Sequence, residues 1–102
     1  MERLLACRGF QWDQGNADKN WLRHRVTRAE CEQVFFNRPL VIAEDTRHSA
    51  AEPRFYALGE TDTSRTLFLV FAIRGELVRV ISARAASRPE RRVYGQVKED
   101  EG

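Results

Sequence analysis

The spacing of apolar positions changes repeatedly along this chain, and each change marks a predicted element. Residues 9–12 (GFQW) predict a short strand. Asp13 then predicts the cap of a helix running to Arg25. On a wheel advancing about 100° per residue, Lys19, Arg23, Asn16, Asn20 and His24 follow one another along a polar arc. Ala17 and Trp21 come next, which sets His24 where the polar arc meets the apolar stripe. A second helix has a stronger start. Thr27 is its predicted N-cap, Glu30 completes a capping box, and Val26 and Cys31 form a hydrophobic staple. Cys31, Val34 and Phe35 are its predicted buried face, and Asn37–Pro39 ends it.

Four strand-like runs follow. LVIAE (40–44) and RFYALG (54–59) are the first two. LFLVFAI (67–73) is continuously apolar, which predicts a central strand covered on both faces. A turn at Gly75 leads into LVRVISA (77–83), which returns antiparallel, the commonest outcome for so short a connection. Ser87 then caps a last helix, with Pro89 in the first turn and Glu90 in the capping-box position. Val93, Tyr94 and Val97 form its predicted apolar side, and Gly95 weakens it by about 1 kcal/mol relative to Ala.

The predicted order is β-α-α-β-β-β-β-α. Clustered strands indicate an α+β fold: an antiparallel β-sheet with two N-terminal helices and one C-terminal helix packed on it. The length of 102 residues suits one domain. It is expected over 10–97, with a loosely ordered leader (1–9) before it and an acidic tail (98–102) after it. Within the last strand, strict alternation places Arg79 with Leu77 and Ile81, and Arg84 on the other side with Val78, Val80 and Ser82. Burying an unpaired arginine is costly. One of the two is then structural, unless a bulge or the strand end re-aims Arg84. A structural Arg84 would pair with an acid such as Glu90.

Charge adds a direction. The formal net charge is +2, but the tail carries one Lys against three acids, so the remainder nets +4. Fifteen of the 17 basic residues are Arg, whose planar guanidinium grips phosphate and carboxylate bidentately. That bias points to nucleic acid or an acidic partner, or only to a GC-rich coding sequence. No apolar run approaches the roughly 20 residues of a membrane helix, so no membrane role is expected. RLLAC (3–7) looks like a lipoprotein processing box but lacks an apolar h-region. Cys7 and Cys31 match no zinc spacing and read as reduced thiols of a cytoplasmic protein.

Four stretches fall in an order that carries a resemblance. They are Trp12–Asp13, DKNWLRHRV (18–26), EDTRHSAAEPRFYALG (44–59) and RGELVRVISARAASRPERRVY (74–94). Together they resemble the BrnT family of bacterial toxins. The second is similar to the family's Lys–Asn–x–x–Lys–His–Gly–Val block, and the last to its Ile–Ser–Ala–Arg–x–Ala…Glu…Tyr pattern. Arg23 stands where Lys is usual, Arg25 where Gly is usual, Pro53 where a polar residue is usual, and Ile73 replaces a polar residue before Arg74. The resemblance implies a RelE-like fold and a metal-independent endoribonuclease that inhibits translation and growth, with no cofactor or metal. It also implies a hetero-oligomer with a BrnA-type antitoxin. A non-catalytic RelE-like module that grips RNA or antitoxin is the alternative, which the departures at Arg25 and Pro53 allow.

RNA can be cut without metal when its own 2′-OH attacks the adjacent phosphorus. The site must then supply a base, cations for the developing charge and an acid for the leaving 5′-oxygen. Arg79 and Arg84 are candidates for charge stabilisation. Glu52 and Arg54 are candidates for base and cation, or an exposed cross-strand pair. His24 suits proton transfer, or is a hydrogen-bonded packing residue. Lys19 is a candidate phosphate ligand or base, or part of a solvated helix face. Arg23, Asn20, Arg74 and Tyr94 complete the candidate RNA-binding set. Asn20 would orient a neighbour, and Tyr94 would donate a proton or stack on a base unless it packs in the core. His48 and Asp45 are too few for a metal site and predict a loop-ordering hydrogen bond. Both tryptophans and the run 67–73 read as core. The acidic tail is expected to compete with RNA for the basic surface.

Overall fold

Residues 2–47 and 52–101 are described by a computed structural model; His48 lies outside them. The elements are α1 (Glu2–Leu5), β1 (Gly9–Gln11), α2 (Gln14–His24), α3 (Arg28–Phe36), β2 (Val41–Asp45), β3 (Arg54–Glu60), β4 (Thr66–Arg74), β5 (Leu77–Ala85) and α4 (Arg88–Glu101). The predicted order is present, with one helical turn added before it. Leu4 and Cys7, before β1, pack against the core. The acidic tail is the last turn of α4.

The strands make one sheet in the order β1-β5-β4-β3-β2. Strands β2 to β5 are antiparallel neighbours, while β1 pairs with β5 in parallel, Gly9 to Gln11 against Leu77 to Arg79. The sheet is therefore mixed rather than wholly antiparallel. The long stretch of chain between β1 and β5 permits a parallel pairing that a hairpin cannot make. Gly75, at φ 59, supplies the tight β4–β5 turn.

The core lies between one sheet face and α3. Phe35 of α3 meets Phe71 edge-on at 5.1 Å, and Phe71 stacks on Phe55 at 5.4 Å. Each such ring contributes about 1.5–3 kcal/mol by leaving water. The start of α3 is as expected: Glu30 N donates to Thr27 Oγ1 at 3.1 Å, and Thr27 N donates to Glu30 Oε1 at 3.0 Å. Burial pushes the Cys31 thiol up to about 12, so it packs as a hydrophobe. Gly59 lets α3 approach β3, since a Cβ there would lie 2.8 Å from Val34 Cγ1.

Helix α2 departs from its expected apolar stripe. Its buried residue is Asn20, whereas Trp21 is 46% exposed, with the Arg25 guanidinium 5.0 Å above its ring. The reason is what α2 covers. Strand β1 pairs with β5 only as far as Arg79, so the β5 edge beyond it has backbone donors without a strand partner. Asn20 Oδ1 accepts the Ala83 N–H at 3.1 Å and stands in for the missing strand. Arg25 ends the helix at φ 53, a left-handed position that favours glycine. Trp12 is half-buried against the core, and its Nε1 donates to Glu32 at 2.9 Å.

Helix α4 covers one end of the second sheet face. Leu58, Phe68, Val41, Ala86 and Tyr94 cluster beneath it. Val93, expected on the apolar side, is 55% exposed instead. Only the Phe68 end of β4 thus has a helix over its second face; Val70 is half-exposed there. The expectation that β4 is covered on both faces fails at that point, because α4 is anchored near Pro39 and reaches no further.

Candidate active site on the open sheet face

One residue decides where the β5 arginines point. Val70 pairs with Ser82 while Phe71 pairs with Val80, so Ile81 is an extra residue in β5. Beyond this bulge the alternation resumes on the opposite phase. Val78, Val80 and Ala83 face the core, and Arg79, Ser82 and Arg84 all face away from α3. Strict alternation, which separates Arg79 from Arg84, is overturned. The clue within the sequence is that strict alternation buries Arg84 beside Val78 and Val80, an arrangement too costly to hold.

The register arranges this face in cross-strand rows. One row runs Asp45, Arg54, Ala72, Arg79, Gln11 from β2 to β1. Ala72, itself fully buried, separates Arg54 from Arg79, which stand two strands, about 10 Å, apart. The next row runs Ala43, Tyr56, Val70, Ser82, and the one after it Val41, Leu58, Phe68, Arg84.

At the end away from α4, arginines gather round one carboxylate. Arg74 Nε lies 2.7 Å from Glu52 Oε2. The Arg74 hydrogen bond holds the Glu52 carboxyl below its usual range, opposed by partial burial and helped by the charges of Arg74, Arg79 and Arg54. Glu52 is therefore ionised at neutral pH. Arg79 is held more loosely: its Nη2 is 3.9 Å from Asp13 Oδ2, too far for a hydrogen bond. Its side chain is 19% exposed, with its stem over the sheet. Asp13 also caps α2, accepting from Asn16 N at 3.2 Å, and so ties the helix start to the arginine row.

At the other end, Arg84 is fully engaged. Its Nη1 and Nη2 donate to Glu90 Oε1 and Oε2 at 2.8 and 2.9 Å, and its guanidinium lies 4.4 Å above the Phe68 ring. The Arg84 hydrogen bonds, against a burial penalty, hold the Glu90 carboxyl down to about 2. Glu90 Oε1 also accepts from Ser87 N at 2.8 Å, closing the α4 capping box. Tyr94 is 2% exposed and donates to the Pro39 carbonyl at 2.7 Å, so its ring and hydroxyl both belong to the core. Burial pushes that hydroxyl up to about 12.

The remaining candidates lie on α2. Lys19, Arg23 and His24 are exposed, whereas Asn20 faces β5. His24 is eleven residues beyond Asp13, about 16 Å along the helix, and so stands away from Arg79 and Glu52. Its carbonyl accepts from Arg65 Nη2 at 3.1 Å. The acidic tail is also remote: Lys98 Nζ is 2.8 Å from Glu60, at the opposite end of β3 from Arg54, about 20 Å away. Among the described residues, no group of three or more His, Cys, Asp or Glu is placed to hold a metal ion. No helix among them is long and apolar enough to cross a membrane. Tyr56 and Ser82 enter the face without having been singled out from sequence. Tyr56 was visible as a neighbour of Arg54 on β3, but Ser82 needed the bulge.

A small α+β domain whose open sheet face gathers three arginines around a carboxylate has the chemistry of a phosphodiester-binding protein. The family model described as a ribonuclease toxin, BrnT, of type II toxin–antitoxin systems matches residues 12–90. The chain belongs to the BrnT family of ribonuclease toxins, with RNA as substrate class and an antitoxin as partner. A search of curated proteins finds no match. Among solved structures, the crystal structure of the Brucella abortus ribonuclease toxin BrnT is similar in fold, with a TM-score of 0.56 at 23% identity. The likeness covers 78% of this chain and 97% of that one.

Proposed function

We propose that this toxin is a metal-independent endoribonuclease working at the Glu52, Arg54, Arg74 and Arg79 cluster. The 2′-oxygen of the substrate attacks the adjacent phosphorus, the bond to the 5′-oxygen breaks, and the products are a 2′,3′-cyclic phosphate and a 5′-hydroxyl. Arg79 and Arg54 stabilise the charge that develops on the phosphorane oxygens. Glu52 takes the 2′-OH proton, Arg74 holds it in place, and water protonates the leaving 5′-oxygen. Lys19 and Arg23, exposed on α2, extend the cationic track for the strand, and His24 contacts RNA beyond the reacting group. The grouping of three arginines near one carboxylate, at the end of the sheet away from α4, is the observation that carries this reading.

The cytoplasm is the place of action, and translation and growth are what RNA cleavage halts. The antitoxin is of BrnA type and forms a hetero-oligomer with the toxin. An acidic antitoxin segment matched to this face would be steered by charge, so association slows as salt rises. A second reading, a RelE-like module that binds without cutting, draws support from the short Arg74–Glu52 pair. A carboxylate so stabilised is a weak base.

The test uses antitoxin-free, folded protein and RNA in excess EDTA. Cleavage with cyclic-phosphate ends is expected. Cleavage that returns only with added metal sinks the metal-free mechanism, and binding without cleavage under every condition establishes the second reading.

A further inference from the structure

We infer that Tyr56, with Val70 and Ser82 beside it on the open face, forms a nucleobase subsite next to the arginine row. The inference rests on the proposed reading that RNA lies along this face. The register makes the argument. Tyr56, Val70 and Ser82 occupy the cross-strand row adjoining Arg54, Ala72 and Arg79. Adjacent rows are about 7 Å apart along the strands, comparable to the step from a phosphate to its own base. A phosphate between Arg54 and Arg79 therefore sets its base over the Tyr56 row.

The side chains there suit a base. Tyr56 and Val70 are half-exposed, and Ser82 is exposed. Ala43 on the far side of Tyr56 is short and exposed, so nothing on β2 roofs the ring. The Tyr56 ring is braced from one side by Phe68, with centroids 5.2 Å apart. Burial and the neighbouring Asp45 carboxylate push its hydroxyl up, so it stays protonated at neutral pH. A ring braced in this way gives up little freedom when a base stacks on it. Sheet-borne aromatics beside basic residues are a general means of holding unpaired bases. Ser82 Oγ, two strands from Tyr56, can donate to or accept from the base edge. The α4 end cannot serve in this way, because Phe68 already lies under the Arg84 guanidinium.

The experiment measures binding of a short 2′-O-methyl RNA, which cannot be cut, and of its fully abasic counterpart with the same backbone charge. Wild-type protein should prefer the base-bearing strand by about tenfold or more. Tyr56→Phe should keep that preference within about twofold, whereas Tyr56→Ala and Tyr56→Leu should bring the two strands close to equal. Melting curves confirm that each variant is folded, and Tyr56→Leu keeps the packing on Phe68 if the alanine variant does not. An unchanged preference in the folded variants, or equal binding of both strands by wild type, overturns the subsite. Because the probe is uncleavable, loss of the metal-free cleavage mechanism leaves this preference standing and is read separately.

Discussion

The open sheet face has two ends, each with arginine, and they differ in what surrounds it. At the α4 end, Arg84 is clamped by Glu90 through two short hydrogen bonds and lies flat on Phe68. At the other end, Arg79 faces Asp13, the N-cap of α2, across 3.9 Å, a separation too long for a hydrogen bond. The two residues sit on the same strand and the same face, about 13 Å apart by register. One guanidinium has its donors filled by the protein and joins a strand end to a helix start. The other holds its acidic neighbour more loosely, and on the proposed reading its donors meet the RNA phosphate. Residue type and position on a strand therefore do not tell the two arginines apart; the distance and geometry of the acidic partner do.

The largest expected break in that comparison comes from alanine at each end. Arg79→Ala should lower RNA cleavage about a hundredfold or more, roughly 3 kcal/mol in the barrier, with little change in melting temperature. Arg84→Ala should do the reverse. It removes a partly exposed bidentate pair and its ring contact, at about 1–2 kcal/mol of stability. In a domain of this size that is roughly 4–8 °C of melting temperature per kcal/mol. Equal losses of activity at both ends, measured per folded molecule, would erase the distinction.

A pH titration sharpens the comparison with a smaller effect. The Glu90 carboxyl is held at about 2 against an ordinary 4.5. A depressed value means that its contribution is complete above about 4.5 and disappears as pH falls toward 2. Wild-type melting temperature should therefore fall faster over that window than that of Glu90→Gln, while the two should run in parallel above it.

The smallest effect is expected where intuition expects a large one. Removing one residue from a regular strand flips everything beyond it. Deleting Ile81 removes the bulge residue itself and leaves Arg79 and Arg84 on the face they already share. The deletion should cost only about 1 kcal/mol for a half-buried side chain, and the Arg84–Glu90 pair should survive. Failure to fold, or a circular dichroism spectrum without the native sheet, would place the extra residue elsewhere.

Much of the fold was legible along the chain because its signals are local. The capping boxes at Thr27 and Ser87 and the Gly75 turn act within a few residues, and short-range sterics and hydrogen bonds set them. The apolar run 67–73 was enough to mark the middle strand of the sheet. The parallel pairing of β1 was not legible, because nothing local records which distant strand a three-residue segment joins. Asn20 was readable as polar but not as buried, since the donor that it satisfies, Ala83 N–H, lies 63 residues away. Trp21 and Val93 were misjudged for the same reason: a helix wheel gives a periodicity, and only the neighbour decides which side of it is covered.

The sequence by itself determined the elements, their order, the three-residue capping chemistry and the resemblance to a ribonuclease toxin, all from signals carried by adjacent residues. The tertiary structure decided the face. A bulge without a glycine to announce it reversed the phase of β5 and brought Arg79 and Arg84 to one side. Helix α4 then closed one end of that side and left Glu52, Arg54, Arg74, Arg79 and Tyr56 at the other. Those outcomes depend on cross-strand register and on where a helix is anchored, and both are fixed by contacts between residues far apart in the chain.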